Sequence, residues 1–451
     1  MAMTMNAKRR RAHDKLAALP GVRAVRRPIR PVSAREREGP QLAREGPQLA
    51  RGLPPVAGQA AAGGDDEFDV FYVRTGRKSP HPLVIIPGGP GAASIALYRG
   101  FRRRAAAEGL DVIMVEHRGV GMSRHDDSGA DLPPDALTID QVVDDVAAVL
   151  EDAHVDNAVI YGTSYGTYIA AGVGVRYPAR VHGMILDSPV LSANDIDAAR
   201  DATRRLLWDG GTAETADLAP KVRQLVDQDM LSPAATQLAA AVYGLAGPRV
   251  LRRQLDLLLA GRRWLWSAMD RAAWFLFERK APYRHEPDLV SRIGYRELNY
   301  GAVPDGKPLD PAVAFREFAT DATEFEAEPF DLVDEMPKFT WPTVVISGGR
   351  DLITPPAVAR RIASLIPGAV LVNLATAGHS VIDLREHAAL AIVKATYDGA
   401  SSGLPARANK LDSTPGGLGV RLLIWGIAAT AAVEQALPAA VPRAVQRVTA
   451  S

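Results

Sequence analysis

Three short glycine-containing motifs carry a serine, an aspartate and a histidine in that order along the chain. Ser164 lies in G-T-S-Y-G, Asp351 in G-G-R-D and His379 in A-G-H-S. A serine hydroxyl is barely ionised near pH 7, so it becomes a useful nucleophile only when a base accepts its proton. We predict that His379 is this base, and that Asp351 fixes the tautomer of His379 and stabilises its imidazolium. This set predicts acyl transfer through Ser164.

The residues on both sides of Ser164 predict the turn that a nucleophile needs. An apolar run, 157–161, enters the motif, and a run compatible with a helix, 167–171, leaves it. A strand, a sharp turn and a helix together lift a serine hydroxyl out of a sheet. Because G-x-S-x-G alone also arises by chance, this context is what favours a catalytic serine.

Two aspartates compete for the role of the acid. Asp351 and Asp187 each follow a predicted strand. We favour Asp351 because it stands in a strand–Gly–Asp–Pro pattern and precedes His379 by 28 residues. The alternative role for Asp351 is to cap a helix that begins near Pro355 and Pro356.

A glycine-rich loop, 87–91 with the sequence P-G-G-P-G, follows another predicted strand. Glycines there let backbone N–H groups point towards developing negative charge. We therefore predict an oxyanion hole formed by the N–H of Gly89 and the N–H of Tyr165. A phosphate-binding loop is one alternative, although the Lys-Ser/Thr of a Walker motif is missing, and a structural turn is the other.

A further segment, 116–123 with the sequence E-H-R-G-V-G-M-S, contains His117, which could be mistaken for a base. We interpret this segment as structural, with Arg118 bracing the loops around the site. No His, Asp and Glu cluster has metal-binding spacing, so we expect neither a metal nor a cofactor. The absence of cysteine excludes disulfides, thiolate catalysis and Cys-ligated zinc.

The pattern along the chain predicts the elements that hold these motifs. Short runs rich in apolar and β-branched residues predict strands, and an apolar stripe within 140–152 predicts a helix. The predicted strands are 68–73, 82–86, 110–115, 157–161, 181–186, 343–347 and 369–373. Strands that alternate with helices indicate an α/β fold with a mostly parallel sheet and helices on both faces.

Residues 191–335 interrupt this alternation with leucine, alanine and arginine at helical spacing. We predict a helical cap there, inserted over the carboxyl ends of the strands, where open α/β sheets bind ligands. The core then consists of 67–190 and 336–400, and a tail, 401–451, follows. The apolar run 422–433 in this tail has 12 residues, fewer than the about 20 that span a bilayer. We expect a surface or membrane-skimming helix without firm membrane association.

The N-terminal segment, 1–66, differs in composition. Residues 1–51 carry 13 Lys and Arg against four Asp and Glu, although the net charge of the whole chain is only +1. A tandem polar repeat, 37–43 and 44–50, cannot build a core. We therefore predict a disordered basic segment whose removal leaves stability nearly unchanged, a solvated tail rather than a nucleic-acid arm. Without an apolar leader and without cysteine, a cytoplasmic protein is expected.

Together these motifs resemble the α/β-hydrolase superfamily, and specifically its proline iminopeptidase and tripeptidyl aminopeptidase-like branch. That branch has H-G-G-P-G where this chain has P-G-G-P-G, and D-Q-R-G-x-G-x-S where it has E-H-R-G-V-G-M-S. The resemblance covers 67–200 and 335–395. Pro87 replaces the histidine of the family, and because the oxyanion donor is a backbone group, we expect activity to survive this change.

The resemblance implies a cofactor-independent serine hydrolase, an aminopeptidase that releases N-terminal proline or small apolar residues from small peptides. Members of the branch hold the free amine of the substrate with cap carboxylates, one of them in a Glu-x-x-Tyr stretch. The sequence E-L-N-Y that begins at Glu297 resembles this stretch. An esterase or lipase acting on acyl esters is one alternative, and a non-catalytic ligand-binding protein on the same fold is another. Haloalkane dehalogenases and epoxide hydrolases are disfavoured, because they need an aspartate where Ser164 stands.

Overall fold

The computed structural model describes residues 6–30, 67–232, 235–278, 281–317 and 324–437. Eight strands from these ranges form one sheet. They are β1 (Val22–Pro28), β2 (Glu67–Thr75), β3 (Leu83–Ile86), β4 (Val112–Val115), β5 (Ala158–Thr163), β6 (Val181–Asp187), β7 (Thr343–Gly348) and β8 (Val370–Leu374).

The strands lie in the order β1-β2-β4-β3-β5-β6-β7-β8. Strands β3 to β8 are parallel to their neighbours among themselves, whereas β2 is antiparallel to both β4 and β1. Strands β3 and β4 are buried along their whole length, which is why their sequences are continuous apolar runs. The predicted mostly parallel sheet is confirmed.

The described residues also form 18 α-helices, of which α6 to α13 lie between β6 and β7. The helices are α1 (Ala7–Ala17), α2 (Ser94–Leu97), α3 (Arg99–Ala107), α4 (Ile139–Asp152), α5 (Tyr165–Arg176), α6 (Asp195–Thr203), α7 (Ala219–Asp227), α8 (Ala235–Ala246), α9 (Pro248–Leu259), α10 (Trp264–Glu278), α11 (Pro287–Leu298), α12 (Pro311–Glu317), α13 (Leu332–Glu335), α14 (Pro356–Leu365), α15 (Val381–Leu384), α16 (Glu386–Tyr397), α17 (Ala408–Asp412) and α18 (Leu418–Ala436). Short 3-10 turns lie at Gly121–Arg124, Pro134–Ala136, Pro178–Arg180, Met336–Lys338, Ser401–Gly403 and Pro405–Arg407, and a π turn lies at Arg204–Trp208.

Two apolar clusters cover the two faces of the sheet. On one face, Val142 of α4 and Ile169 of α5 pack against strand residues that include Ile160. On the other face, Phe101 of α3 and Leu390 of α16 belong to a second cluster. Successive side chains of a strand point to opposite faces, so each central strand supplies both clusters. The predicted helices on both faces are therefore confirmed.

Most of the helices between β6 and β7, from α6 to α10, share a core that is separate from the two sheet clusters. Leu207, Leu225, Leu251 and Leu255 belong to this core, and Leu352, from the loop after β7, packs into it. Since that loop leaves the carboxyl end of a parallel strand, the contact places these helices, hereafter the cap, at the edge of the sheet where the predicted cap was expected.

The N-terminal segment is ordered over residues 7–28, so the disorder predicted for 1–66 is wrong there. Strand β1 pairs with β2 over its whole length of seven residues. Two of the positive charges that suggested a solvated tail have buried acidic partners, since Arg9 pairs with Glu286 and Arg27 pairs with Asp145. The polar repeat, 37–50, lies outside the described residues.

Removal of residues 1–30 is therefore expected to lower the melting temperature, contrary to the expectation from composition. The deletion strips β1 from the edge of the sheet and leaves the buried Glu286 without Arg9, its partner at 2.5 Å. Breaking a buried ion pair by removing one partner costs about 3–5 kcal/mol. Thermal unfolding followed by circular dichroism checks this. Deletion of residues 44–50 is the control, and equal melting temperatures for both variants would contradict the docking of the segment.

The C-terminal helix is longer than the apolar run of 12 residues predicted from the sequence. Helix α18 has 19 residues and is, within the described part of the chain, the one helix long and apolar enough to cross a membrane. Leu422 and Trp425 in its first half are exposed. In its second half, Glu434 accepts hydrogen bonds from the backbone N–H groups of Trp264 and Leu265. The helix thus connects the C-terminal segment to the cap.

Candidate active site

Ser164 occupies a sharp turn between β5 and α5. Its backbone lies at φ 52° and ψ −127°, which non-glycine residues rarely adopt. Two glycines make room for this turn. A Cβ on Gly162 would lie 2.3 Å from the carbonyl oxygen of Gly166, and one on Gly166 would lie 2.1 Å from that of Ile86. The strand, turn and helix predicted around the serine are all present.

His379 lies between Ser164 and Asp351, within hydrogen-bond distance of both. Its Nε2 is 2.8 Å from Ser164 Oγ, and its Nδ1 is 2.9 Å from Asp351 Oδ2. These distances fit an Nδ1–H that donates to the carboxylate and an Nε2 that accepts from the hydroxyl. The structure thus brings together the three residues that the sequence analysis selected.

Asp351 is fixed by its own loop as well as by His379. It is buried, and its Oδ1 accepts hydrogen bonds from the backbone N–H groups of Ile353, at 2.9 Å, and Thr354, at 3.0 Å. Its Oδ2 faces the imidazole. One oxygen of Asp351 therefore holds the turn before α14, while the other contacts the histidine. The alternative role as a helix cap is not observed, because the N-cap of α14 is Pro355 and no side chain caps this helix.

Asp351 and His379 shift the pKa of each other in the direction that favours their charged forms. Burial raises the pKa of Asp351, but the charge and hydrogen bond of His379, together with the backbone hydrogen bonds from Thr354 and Ile353, outweigh it, so the net pKa lies below its usual value. Burial likewise lowers the pKa of His379, but the Asp351 carboxylate, with further contributions from the charges of Asp187 and Asp383, more than reverses this, so the net pKa is raised. An imidazole with a raised pKa is a stronger acceptor for the serine proton.

Asp187, the other candidate for the acid of the triad, does not contact His379 but makes hydrogen bonds to other residues. It ends β6 with no exposed surface, and its carboxylate accepts hydrogen bonds from the backbone N–H groups of Val381 and Ile382 and from the hydroxyl of Tyr161. Burial raises its pKa to about 6. Asp187 therefore holds the start of α15, the helix that follows His379, and not the imidazole itself.

The glycine-rich loop after β3 lies beside the nucleophile. A Cβ on Gly88 would lie 3.0 Å from Ser164 Cβ, and the φ of Gly89 is 124°, a value that favours glycine. Tyr165 is the first residue of α5, so its N–H belongs to the helix N-terminal groups that have no intrahelical acceptor. Both predicted oxyanion donors thus belong to segments next to Ser164, and their catalytic role is a proposal.

His117 and Arg118 stabilise the loops behind the site. His117 Nε2 lies 3.1 Å from the hydroxyl of Tyr165, and burial lowers the pKa of His117 to about 4, which keeps it neutral near pH 7. Arg118 has no exposed surface and donates two hydrogen bonds of 2.6 Å to Asp145. These contacts agree with the structural interpretation of the segment.

Glu297, the predicted contact for a substrate amine, is a buried residue near the end of α11. Its Oε2 accepts a hydrogen bond of 2.8 Å from the backbone N–H of Ile139, the first residue of α4, and its Oε1 pairs with Arg296. Burial raises its pKa. These contacts connect Glu297 to α4 and not to the triad, and its role towards an amine remains a prediction.

Thr354 is a site residue that the sequence analysis did not identify. Its Oγ1 lies 2.9 Å from both Asp351 Oδ2 and the carbonyl oxygen of Ser188, and 3.3 Å from His379 Nδ1. Thr354 thus connects the acid and the base to the loop after β6. The available signal is the spacing Asp-x-x-Thr, since aspartates often accept hydrogen bonds from the N–H groups two and three residues later.

The site supplies the parts that acyl transfer needs: a hydroxyl nucleophile, an imidazole base and a carboxylate that orients the base. The segments after β5, β7 and β8 contribute these three parts, and all three segments leave the same edge of the parallel sheet. Within the described ranges, no cluster of three or more His, Cys, Asp or Glu residues is placed to hold a metal ion.

Fold and site together define the class of protein. The chain belongs to the alpha/beta hydrolase fold family, whose model matches residues 81–386. A proline iminopeptidase from Heyndrickxia coagulans is 31% identical over 114 residues, which cover 25% of this chain and 36% of the relative. A second, from Arabidopsis thaliana, is 24% identical over 160 residues, which cover 35% of this chain and 39% of the relative. These matches confirm the resemblance to the proline iminopeptidase branch, and each spans less than half of the relative.

A solved structure of a protein that is also named proline iminopeptidase aligns over a larger part of this chain. The proline iminopeptidase from Mycobacterium smegmatis is covered over 95% of its length, and the alignment includes 74% of this chain. The sequence identity is 17% and the TM-score is 0.44. The family assignment depends on the family model, which matches residues 81–386.

Proposed function

We propose that the protein is a cofactor-independent serine hydrolase that acts as an aminopeptidase on small peptides. The observation that carries the hydrolase proposal is the pair of contacts made by His379, at 2.8 Å to Ser164 Oγ and 2.9 Å to Asp351 Oδ2. A nucleophile within reach of a base that a third group orients is the signature of nucleophilic catalysis. A non-catalytic binding protein on this fold has no need of all three groups.

In the proposed reaction, His379 Nε2 takes the proton of the Ser164 hydroxyl while Oγ attacks the carbonyl carbon of the substrate. Negative charge then develops on the carbonyl oxygen, where the N–H groups of Gly89 and Tyr165 stabilise it. The protonated His379 gives its proton to the leaving amine, and an acyl-enzyme forms. A water molecule, deprotonated by the same imidazole, releases the acid and restores Ser164.

The aminopeptidase part of the proposal is supported by the relatives, which bear the name proline iminopeptidase. Release of one N-terminal residue requires a protonated α-amine to be held at a fixed distance from the nucleophile, and we propose Glu297 for this role. A carboxylate offers about four lone-pair sites, so its hydrogen bonds to Ile139 and Arg296 leave capacity for an amine.

One panel of substrates tests the proposal. Purified protein is incubated with prolyl, alanyl and leucyl arylamides and, in parallel, with short and long acyl esters. Release of arylamine from free-amine substrates, lost when the amine is acetylated, supports the aminopeptidase. Hydrolysis of esters alone supports the carboxylesterase alternative, and turnover of neither class supports a binding protein.

We further propose a cytoplasmic location. The chain has no cysteine, so its stability does not depend on an oxidising compartment. Cell fractionation tests this, and the partly exposed α18 is the feature most able to retain the protein at a membrane.

Replacement of Glu297 by glutamine is expected to lower kcat/KM for free-amine arylamides about tenfold, or about 1.4 kcal/mol. Glutamine keeps an oxygen for the N–H of Ile139, so the contact with α4 survives while the negative charge is lost. Acyl esters carry no ammonium group and should be almost unaffected. Steady-state kinetics on both classes check this, with the exposed Glu324→Gln as control. Equal losses on both classes, or a loss on neither, would remove Glu297 from the site.

A further inference from the structure

Helix α1 places one of its three consecutive arginines in the interior. Arg9 is 4% exposed, whereas Arg10 and Arg11 on the same helix are exposed. The Arg9 guanidinium lies 4.7 Å above the ring of Tyr283, and the Tyr283 hydroxyl donates a hydrogen bond of 2.8 Å to the Arg9 carbonyl. A buried guanidinium is retained only where hydrogen-bonding partners compensate its desolvation. The residues that bond to Arg9 therefore show which part of the structure it stabilises.

The partners of Arg9 are Glu286 and Gly121. Arg9 Nη1 lies 2.5 Å from Glu286 Oε1, and Nη2 lies 3.0 Å from both Glu286 Oε2 and the carbonyl oxygen of Gly121. The backbone N–H of Gly121 donates to the same Glu286 oxygen at 2.7 Å. Glu286 is 1% exposed, and its next cation, Arg124, is 3.9 Å away. Arg9 is therefore the direct counter-charge of a fully buried carboxylate.

Glu286 belongs to a segment that pairs with the glycine-rich loop beside Ser164. The backbone N–H of Glu286 donates to the carbonyl of Gly91 at 2.9 Å, and that of Ala93 donates to the carbonyl of Arg284, also at 2.9 Å. A Cβ on Gly91 would lie 2.8 Å from the Cα of Pro287, so the two backbones are packed without spare room. A displacement of 284–287 must therefore displace Gly91 and the residues before it.

We propose that Arg9 is a positioning residue for the glycine-rich loop, 87–91, and that it acts through Glu286. This inference depends on the proposed serine hydrolase function. Oxyanion donors stabilise a transition state only when they are held in place before the reaction, and a shift of Gly91 moves Gly89. Because the oxyanion develops on the way to the tetrahedral intermediate and is absent from the bound substrate, loss of Arg9 should lower kcat and leave KM unchanged. The N-terminal segment is thus part of the support of the site.

The test compares Arg9→Met with Arg10→Met, a control on the same helix. With an acyl ester or arylamide that the wild type hydrolyses, Arg9→Met is expected to lower kcat at least about tenfold, with KM within about twofold of wild type. The inhibition constant of a trifluoromethyl ketone, whose adduct places an oxyanion in the hole, should rise by the same factor. Arg10→Met should match wild type. Assays are done at a temperature where circular dichroism shows every variant folded.

If Arg9→Met does not fold, Arg9→Lys decides the question. Lysine keeps a cation beside Glu286 but has one nitrogen, which cannot replace a guanidinium fork bonded to both Glu286 and the Gly121 carbonyl. It should lower kcat about threefold at unchanged KM. In either variant, an unchanged kcat, or a loss confined to KM, overturns the proposal. A wild type that hydrolyses no ester and no arylamide refutes the proposed function instead, so the two failures are distinguishable.

Discussion

Replacement of Ser164 by alanine is expected to abolish hydrolysis and to leave the fold intact. In related chemistry, loss of the nucleophile costs roughly 10⁶ in kcat, and only catalysis from binding and from the oxyanion hole remains. The hydroxyl contacts the imidazole of His379, and the backbone turn is set by Gly162 and Gly166, which the substitution does not touch. Turnover of the best substrate from the panel, together with thermal unfolding, checks both parts of this expectation.

A fluorophosphonate probe provides an independent readout. It should label the wild type and the control Ser128→Ala, whose hydroxyl lies on an exposed loop and donates to Asp126. It should not label Ser164→Ala. Labelling that survives in Ser164→Ala would show that the nucleophile is another residue, and the proposed function would then be wrong.

The turn at Ser164 could be predicted from the sequence because its determinants are local. The strand residues before it, the two glycines and the helix after it all lie within residues 158–176, and together they determine the backbone conformation at Ser164. Asp351 and His379 could be placed near it for a topological reason. Both follow strands of a parallel sheet, and the carboxyl ends of such strands share one edge.

The N-terminal segment could not be predicted in the same way, because its contacts are with distant residues. Arg9 pairs with Glu286, 277 positions away, and Arg27 pairs with Asp145, 118 positions away. Composition shows the positive charge of the segment but does not show which acidic residues pair with it. Once those acids are present, a segment that looked too polar to fold has a strand partner, and the charges of Arg9 and Arg27 are compensated.

Substrate preference is the property of the protein that the sequence predicts least well. The cap is built from helices with generic leucine-rich faces, and a carboxylate on such a helix serves a ligand or a neighbouring helix equally well. Glu297 illustrates this, because its short Glu-x-x-Tyr stretch suggested an amine contact while the structure shows a hydrogen bond to the N-terminus of α4. Burial and hydrogen-bond partners separate such roles only in three dimensions.

Replacement of Asp351 by asparagine is expected to lower kcat by roughly 10⁴, because the amide presents the imidazole with the wrong tautomer while the geometry survives. The loop should remain folded, since the side-chain oxygen of asparagine can still accept hydrogen bonds from the N–H groups of Ile353 and Thr354. The raised pKa of His379 depends on the charge that is removed, so it should fall. Titration of the histidine by NMR, alongside steady-state kinetics, measures both effects.

The matched variant Asp187→Asn distinguishes the role of Asp351, which orients His379, from the role of Asp187, which holds the start of α15. The Asp187 carboxylate accepts three hydrogen bonds, from the N–H groups of Val381 and Ile382 and from the hydroxyl of Tyr161. An amide cannot accept all three, and an unsatisfied buried group costs about 1–3 kcal/mol of stability. Asp187→Asn should therefore lower the melting temperature while turnover per folded molecule stays near that of the wild type. An inactive Asp187→Asn beside an active Asp351→Asn would assign the acid to Asp187, since only the residue that orients His379 can change the tautomer of the base.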